Sequence, residues 1–152
     1  MATQSDITIK RATIADVLRV APLFDAYRQF YGKPSNLKSA SEFLRSRLFD
    51  CETVVYYATG ENEHVAGFAQ LFPSFSSVSL CRAWILNDLF VHPDFRARGV
   101  GHALMERAKQ HCLEFGARQL WLQTDLTNDT AQRLYETVGM TRKEILEYTW
   151  TP

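Results

Sequence analysis

Residues Ile85–Gly101 read I-L-N-D-L-F-V-H-P-D-F-R-A-R-G-V-G, and the fold is decided in this stretch. Ile85, Leu86, Leu89, Phe90 and Val91 have the apolar character of a buried strand, which His92-Pro93-Asp94-Phe95 brings to an end. Ala103, Leu104, Ala108, Cys112 and Phe115 then follow helical spacing, and Gly116 suits the left-handed position after a helix. Between strand and helix lies Arg96-Ala97-Arg98-Gly99-Val100-Gly101. Its glycines let the backbone approach a ligand, and the first N–H groups of a helix point outward without internal partners. Such a terminus carries about half a positive charge and favours phosphate oxygens, and Arg96 and Arg98 add cationic donors. On physical grounds the turn is a cradle for a diphosphate or a carboxylate. It has neither the Walker G-K-S/T nor a full G-x-G-x-x-G.

Working outward, Ile7 and Ile9 alternate with polar residues over Asp6–Arg11, as in a short strand. Thr13 and Asp16 mark a helix start. Val17, Val20, Ala21, Phe24 and Tyr27 keep helical spacing, and Pro22 inside that pattern predicts a kink or break. A loop at Gly32–Asn36 precedes a second helix over Ser41–Phe49. Strands are expected at Thr53–Thr59, Val65–Phe72 and Ser79–Val91, with turns at Gly60–Glu63 and Pro73–Ser77. Beyond Gly116, Arg118–Thr124 reads as a strand, Asn128–Val138 as a short helix ending at Gly139, and Arg142–Thr149 as a final strand. The expected class is α/β (α+β mixed), with a mixed, mostly antiparallel twisted sheet and helices on both faces.

The 152 residues fit one domain, 1–152, and no linker or repeat divides them. A formal net charge of zero gives no general attraction to nucleic acid or an anionic membrane, so any anion site must be local. Apolar runs are of strand length and the first residues lack a secretion signal, so a cytoplasmic location is expected. Cys51, Cys81 and Cys112 have no C-x-x-C spacing. His64, His92, His102 and His111 form no ligand pair. Neither a disulfide framework nor a metal is expected.

A second constellation follows the turn. Asn128-Asp129-Thr130-Ala131-Gln132-Arg133-Leu134-Tyr135 opens with a capping residue, and Ala131, Leu134, Tyr135 and Val138 share one helix face. With the first, it resembles the GNAT superfamily of N-acetyltransferases. Arg96, Gly99 and Gly101 meet R-x-x-G-x-G, and Asn128, Ala131, Leu134, Tyr135 and Gly139 meet N-x-x-A-x-x-L-Y-x-x-x-G. The likeness is firm over Ile85–Met140, and Leu86–Val91 resembles the polyamine and histone acetyltransferase branch.

The resemblance implies acetyl-CoA as co-substrate. Its pantetheine arm would pair with backbone at Leu89, Phe90 and Val91, where two strands splay. Its pyrophosphate would lie on Arg96, Ala97, Arg98, Gly99, Val100, Gly101 and His102. Asn128, Ala131 and Tyr135 would border the thioester, Tyr135 assisting departure of the thiolate. Complete proton transfer from a phenol near 10 to a thiolate near 8.5 is uphill by about 2 kcal/mol, so a hydrogen bond serves as well. A homodimer is the family expectation.

The base is the open point. Related polyamine enzymes carry Glu-Asp where this chain has Asn87-Asp88, and Asn87 has no acid–base function. Asp88 is retained as the candidate base, with a structural acceptor role as the alternative. The amine acceptor, a small molecule such as a polyamine or amino acid, is expected to meet Tyr27, Phe30, Tyr31, Phe72, Phe75, Trp84 and Asn87. A protein lysine is an alternative acceptor. A non-catalytic acetyl-CoA sensor and an unrelated nucleotide-phosphate binder are rival readings.

Overall fold

The computed structural model describes residues 7–152, so Asp6 of the first expected strand lies outside the described residues. Five strands form one sheet in sequence order: β1 (Thr8–Arg11), β2 (Val54–Thr59), β3 (Val65–Ser76), β4 (Cys81–Val91) and β5 (Gln119–Trp121). The first four are antiparallel neighbours, and β5 lies parallel to β4. Helices α1 (Val17–Phe30) and α2 (Leu37–Phe49) cover one face, whereas α3 (Val100–Glu114) and α4 (Asp129–Thr137) cover the other. The mixed, mostly antiparallel sheet with helices on both faces is as the sequence predicts.

Two cores result from strand alternation. Val55, Tyr57, Phe68 and Phe90 meet Val17, Val20, Phe24 and Leu44 from α1 and α2. Tyr56, Ala69, Leu71, Trp84 and Leu86 meet Val100, Leu104, Met105 and Ala108 from α3. Asp25, buried in α1, joins the first two helices. It accepts from the Ser35 hydroxyl at 2.6 Å and the Asn36 N–H at 2.8 Å. These bonds hold its carboxyl below the ordinary carboxylate range.

Several boundaries differ from expectation, each for a local reason. Helix α1 runs through Pro22 as one element. Pro22 and Leu18, whose carbonyl the proline leaves without its usual donor, are both exposed, so water can serve that carbonyl. Helix α2 begins at Leu37 and not Ser41, because the Asn36 side chain caps it by accepting from the Ser39 N–H at 3.0 Å. Strand β3 continues through Pro73 to Ser76. Its pairing with β2 stops at Leu71, so Pro73 sits where β3 has lost one neighbour and proline is tolerated. Strand β5 is three residues where seven were expected, and Arg142–Thr149 is exposed and, among the described residues, without backbone pairing instead of a strand. Gly116 and Gly139 do take the left-handed conformation after α3 and α4.

A glycine unremarked in the sequence seats α3. A Cβ on Gly67 in β3 would lie 2.9 Å from Val100 Cγ1 and 3.0 Å from the Phe90 carbonyl oxygen. At Gly101 it would crowd the Cδ2 of Leu134, at 3.1 Å, which can turn aside, and touch Val91 Cγ2 at an ordinary 3.8 Å. Gly67→Ala should therefore cost about 1–3 kcal/mol in urea unfolding. Gly101→Ala should stay within about 1 kcal/mol of the parent, because helix propensity offsets the contact. Equal stabilities for the two variants would show that α3 is not seated tightly on β3.

Candidate active site

Strand β4 carries the site through two departures from regularity. It pairs with β5 only at Ala83, Trp84 and Ile85. From Leu86 to Val91 it keeps β3 on one side and, among the described residues, pairs with no strand on the other, leaving backbone donors and acceptors open on that side. The second departure is a bulge. Leu71 pairs with Leu86 and Gln70 with Asp88, so Asn87 is an extra residue. The extra residue shifts the alternation: Trp84 and Leu86 point toward α3, whereas Asp88 and Phe90 point toward α1.

Asp88 thus enters the α1–α2 face, 4% exposed. It accepts hydrogen bonds from the amides of Gln70 and Asn87, the latter at 3.1 Å. The Thr53 hydroxyl donates to Gln70 Oε1 at 2.9 Å and fixes that amide. Tyr27 Oη donates to the Asn87 carbonyl at 3.5 Å, and burial, with the Asp88 carboxylate nearby, raises the pKa of its hydroxyl. No cation pairs with Asp88 among the described residues. Burial raises its pKa above the carboxylate range, and the hydrogen bonds from Gln70, Tyr27 and Asn87 oppose this without cancelling it.

A cavity of about 340 Å³ opens beside this carboxylate. Phe24, Tyr27, Ala40 and Phe43 give it apolar walls, Gln70, Asn87 and Asp88 a polar floor, and Arg28 and Ser39 complete the lining. Tyr31 and Phe30 continue the aromatic surface, with Tyr31 packed edge-on against Tyr27 at 5.0 Å between ring centres. The structure does not bring the other predicted aromatics here. Trp84 is buried toward α3, 4.4 Å from the His111 ring. Phe75 is exposed under Arg82 near the β3–β4 turn, and Phe72 is half-buried outside the cavity lining. Gln70 and Phe43 were missed. Gln70 was visible as the one amide in the apolar run Val65–Phe72.

At the end of β4 the turn has the backbone of an anion cradle. Pro93–Phe95 forms a short 3₁₀ turn, Ala97 and Gly99 take positive φ of 58° and 81°, and α3 begins at Val100. Left-handed residues beside right-handed ones turn successive N–H groups to one side. Arg98 stacks on Phe95. Arg96 stacks on Phe90 and donates its Nε to the Val91 carbonyl at 3.1 Å, which ties the turn to the open strand. His102 is exposed in the first turn of α3. Farther along the chain, Asn128 caps α4 by accepting from the Ala131 N–H at 3.2 Å. Tyr135 lies half-buried on the same helix, and burial raises its hydroxyl pKa to about 12, so it is a neutral donor at physiological pH.

A larger cavity, about 680 Å³, lies near the C-terminal end of α3 among Arg11, Thr53, Arg82, Trp84, His111 and Phe115. Its buried imidazole, His111, has a pKa lowered by desolvation to about 4 and stays neutral. The smaller cavity is the one that joins an ionisable carboxyl to the open strand. Among the described residues no cluster of His, Cys, Asp and Glu could hold a metal, and no helix is long and apolar enough to cross a membrane.

The raised pKa of Asp88 has a stability signature. The folded chain keeps this proton to higher pH than the unfolded chain, so the group's contribution is full below the ordinary value of 3.8 and is lost as pH rises through the raised one. Asp88→Asn removes that loss. Its melting temperature relative to the parent should therefore climb between acidic and neutral pH, whereas the depressed Asp25 acts equally in both proteins and cancels. A difference independent of pH would mean that Asp88 titrates normally.

The chain is similar to known proteins over most of its length. The profile of the acetyltransferase (GNAT) family matches residues 20–140. An N-acetyltransferase of Bacillus subtilis, YhfO, itself uncharacterised, is 45% identical over 133 residues, covering 88% of this chain and 89% of the relative. The Escherichia coli alanine N-acetyltransferase of ribosomal protein bS18 is 30% identical over 94 residues, 62% of this chain and 60% of that one. The crystal structure of a probable acetyltransferase superposes with a TM-score of 0.87 at 38% identity, covering 95% of this chain and 97% of that one. With the open strand, the anion turn and the capped Tyr135 helix in their order, the chain belongs to the GNAT family of acetyltransferases.

Proposed function

We propose that the protein transfers the acetyl group of acetyl-CoA to the primary amine of a small molecule by direct attack. The observation that carries this reading is the meeting, on one strand, of an unpaired backbone edge and a buried carboxyl without a cation. The residues present fit acetyl-CoA. Leu89, Phe90 and Val91 offer the backbone for an extended pantetheine arm. The N–H groups of Arg96–His102 and the terminal nitrogens of the two arginines suit a pyrophosphate. Asn128 and Ala131 frame the approach to Tyr135.

In this reading the chain's own groups divide the work. An alkyl amine near pKa 10.4 is mostly protonated at neutral pH and must lose a proton before it attacks. Asp88 receives it, directly or through water, and its raised affinity for protons suits the task. N–H groups at Leu89 or Phe90 donate to the acetyl oxygen as charge grows there. Tyr135 donates a hydrogen bond to the departing sulfur. With its hydroxyl near 12, full transfer to a thiolate near 8.5 would be uphill by roughly 5 kcal/mol, so the hydrogen bond is the role proposed.

The volume of about 340 Å³ beside Asp88 supports a small acceptor over a protein chain. Nothing in the relatives named above points to the polyamine and histone branch in particular. The turning of Asp88 toward the acceptor cavity favours an enzyme over a sensor. Its working form is proposed to be a homodimer.

Release of CoA thiol from acetyl-CoA, measured with a panel of polyamines, amino acids and aminoglycosides, should show amine-dependent turnover. Binding of acetyl-CoA without turnover on any amine, peptides included, would favour the sensor. With the best amine, Tyr135→Phe should keep acetyl-CoA affinity while kcat falls about 10–100-fold, the loss of one hydrogen bond to a developing anion. Unchanged turnover would remove Tyr135 from the chemistry. Asp88→Asn should lower kcat/KM by about 100-fold or more and flatten its acid limb. A parent-like pH profile would end the base assignment.

A further inference from the structure

The larger cavity, at the opposite end of β4 from the Arg96 turn, gathers buried donors with nothing to bond and cations with nothing to pair. Trp84 and His111 line it, 6% and 0% exposed, and neither Trp84 Nε1 nor His111 Nε2 has a hydrogen-bond partner among the described residues. The neighbours of the imidazole decide where its hydrogen sits. Arg107, which can only donate, bonds to Tyr56 Oη at 2.9 Å, and Tyr56 Oη lies 2.9 Å from His111 Nδ1. The phenol therefore directs its one hydrogen to Nδ1. His111, with its pKa lowered to about 4 by desolvation, is neutral and carries its own hydrogen on Nε2. Both orphaned atoms are thus N–H donors, and a buried N–H without an acceptor costs free energy that a bound acceptor returns.

Two cations stand beside these donors. Arg11 and Arg82 are exposed side chains lining the same cavity, and the Arg11 charge lies near enough to His111 to lower its pKa further. Arg11 stacks on Phe115 at 5.8 Å and Arg82 on Phe75 at 5.3 Å, which occupies the flat face of each guanidinium and leaves its fork of N–H groups to donate. Among the described residues neither arginine pairs with a carboxylate, and no acidic side chain lines the cavity. Ile14, Leu48, Pro73 and Phe115 supply apolar walls. The chemistry is the reverse of that beside Asp88, where a carboxyl awaits a cation. An amine or a metal ion has no carboxylate to meet here, whereas an anion meets two guanidiniums and two neutral donors.

We infer that this cavity is a second ligand site, taking a small organic carboxylate whose oxygens accept from Arg11, Arg82, Trp84 and His111 and whose apolar body lies against Ile14, Leu48, Pro73 and Phe115. A volume of about 680 Å³ accommodates such a molecule. The site is independent of the acetyl-transfer reading, and its test uses no activity.

NMR titration of the isotope-labelled chain with benzoate at millimolar concentrations should shift the Trp84 indole N–H and the Arg11 and Arg82 side-chain resonances saturably. Benzamide, of the same shape without the charge, and inorganic phosphate, with charge and no apolar body, should each bind at least about tenfold more weakly. Replacing both arginines, Arg11→Gln with Arg82→Gln, should weaken benzoate about 10–100-fold with parent-like circular dichroism, because both side chains are exposed. The comparison of benzoate with benzamide and phosphate on the unmodified chain stands alone should that variant not fold. A Trp84 indole N–H unmoved by benzoate, phenylacetate and hexanoate alike would overturn the inference. So would benzamide or phosphate binding as tightly as benzoate, or undiminished benzoate binding in the folded double variant.

Discussion

Beyond Ile85, strand β4 has a neighbour on one side only, and most of what is particular to this molecule follows from that missing partner. A buried sheet pairs its backbone groups because an unpaired N–H or carbonyl away from water costs free energy. Here β5 stops after three pairs, so Leu86–Val91 keeps its donors and acceptors on the open side. The strand survives there because β3 pairs its other edge and because Gly67 lets Val100, at the start of α3, press close to it. The same helix start displays the N–H groups of the Arg96–Gly101 turn. Edge and cradle are consecutive on the chain, so an extended ligand lying along the one would reach the other, where Arg96 and Arg98 stand beside the helix N-terminus.

The electrostatics are local. A chain with equal numbers of acidic and basic side chains has no general field to attract an anion, so the cradle relies on a helix terminus and two arginines. The two buried aspartates illustrate opposite uses of a carboxyl. Asp25 is satisfied by Ser35 and Asn36, is held ionised, and ties α1 to α2. Asp88 is desolvated without a cation and holds its proton more tightly. Only the second has an affinity that a protonated amine can use. That contrast is why Asp88, and not the more fully bonded Asp25, is proposed as the base.

The sequence made legible those features that local chemistry determines. The arginine–glycine turn, the Asn128 cap and the left-handed glycines after α3 and α4 depend on neighbours within a few residues, and each was found. The bulge at Asn87 depends on register with β3, a contact made across the sheet, and no local signal marks it. Its consequence lies outside any reading of β4 by itself: one unbroken alternation would put Trp84 and Asp88 on the same face. The extra residue sends them to opposite faces. Pro73 reads as a turn until one knows that the pairing of β3 with β2 has already stopped at Leu71. The final segment has residue types that favour a strand, yet Arg142–Thr149 forms none, because no backbone hydrogen bond reaches it among the described residues.

The central claim is that the donor lies along the open edge of β4 and over the turn that follows it. An amide-resolved NMR titration of the parent protein with acetyl-CoA measures this directly. The account predicts the largest shifts at Leu89–Val91 and Ala97–His102, with smaller ones near Asn128 and Tyr135. Shifts confined to residues around Arg11, Trp84 and His111, at the larger cavity, with the β4 edge unmoved, would contradict it.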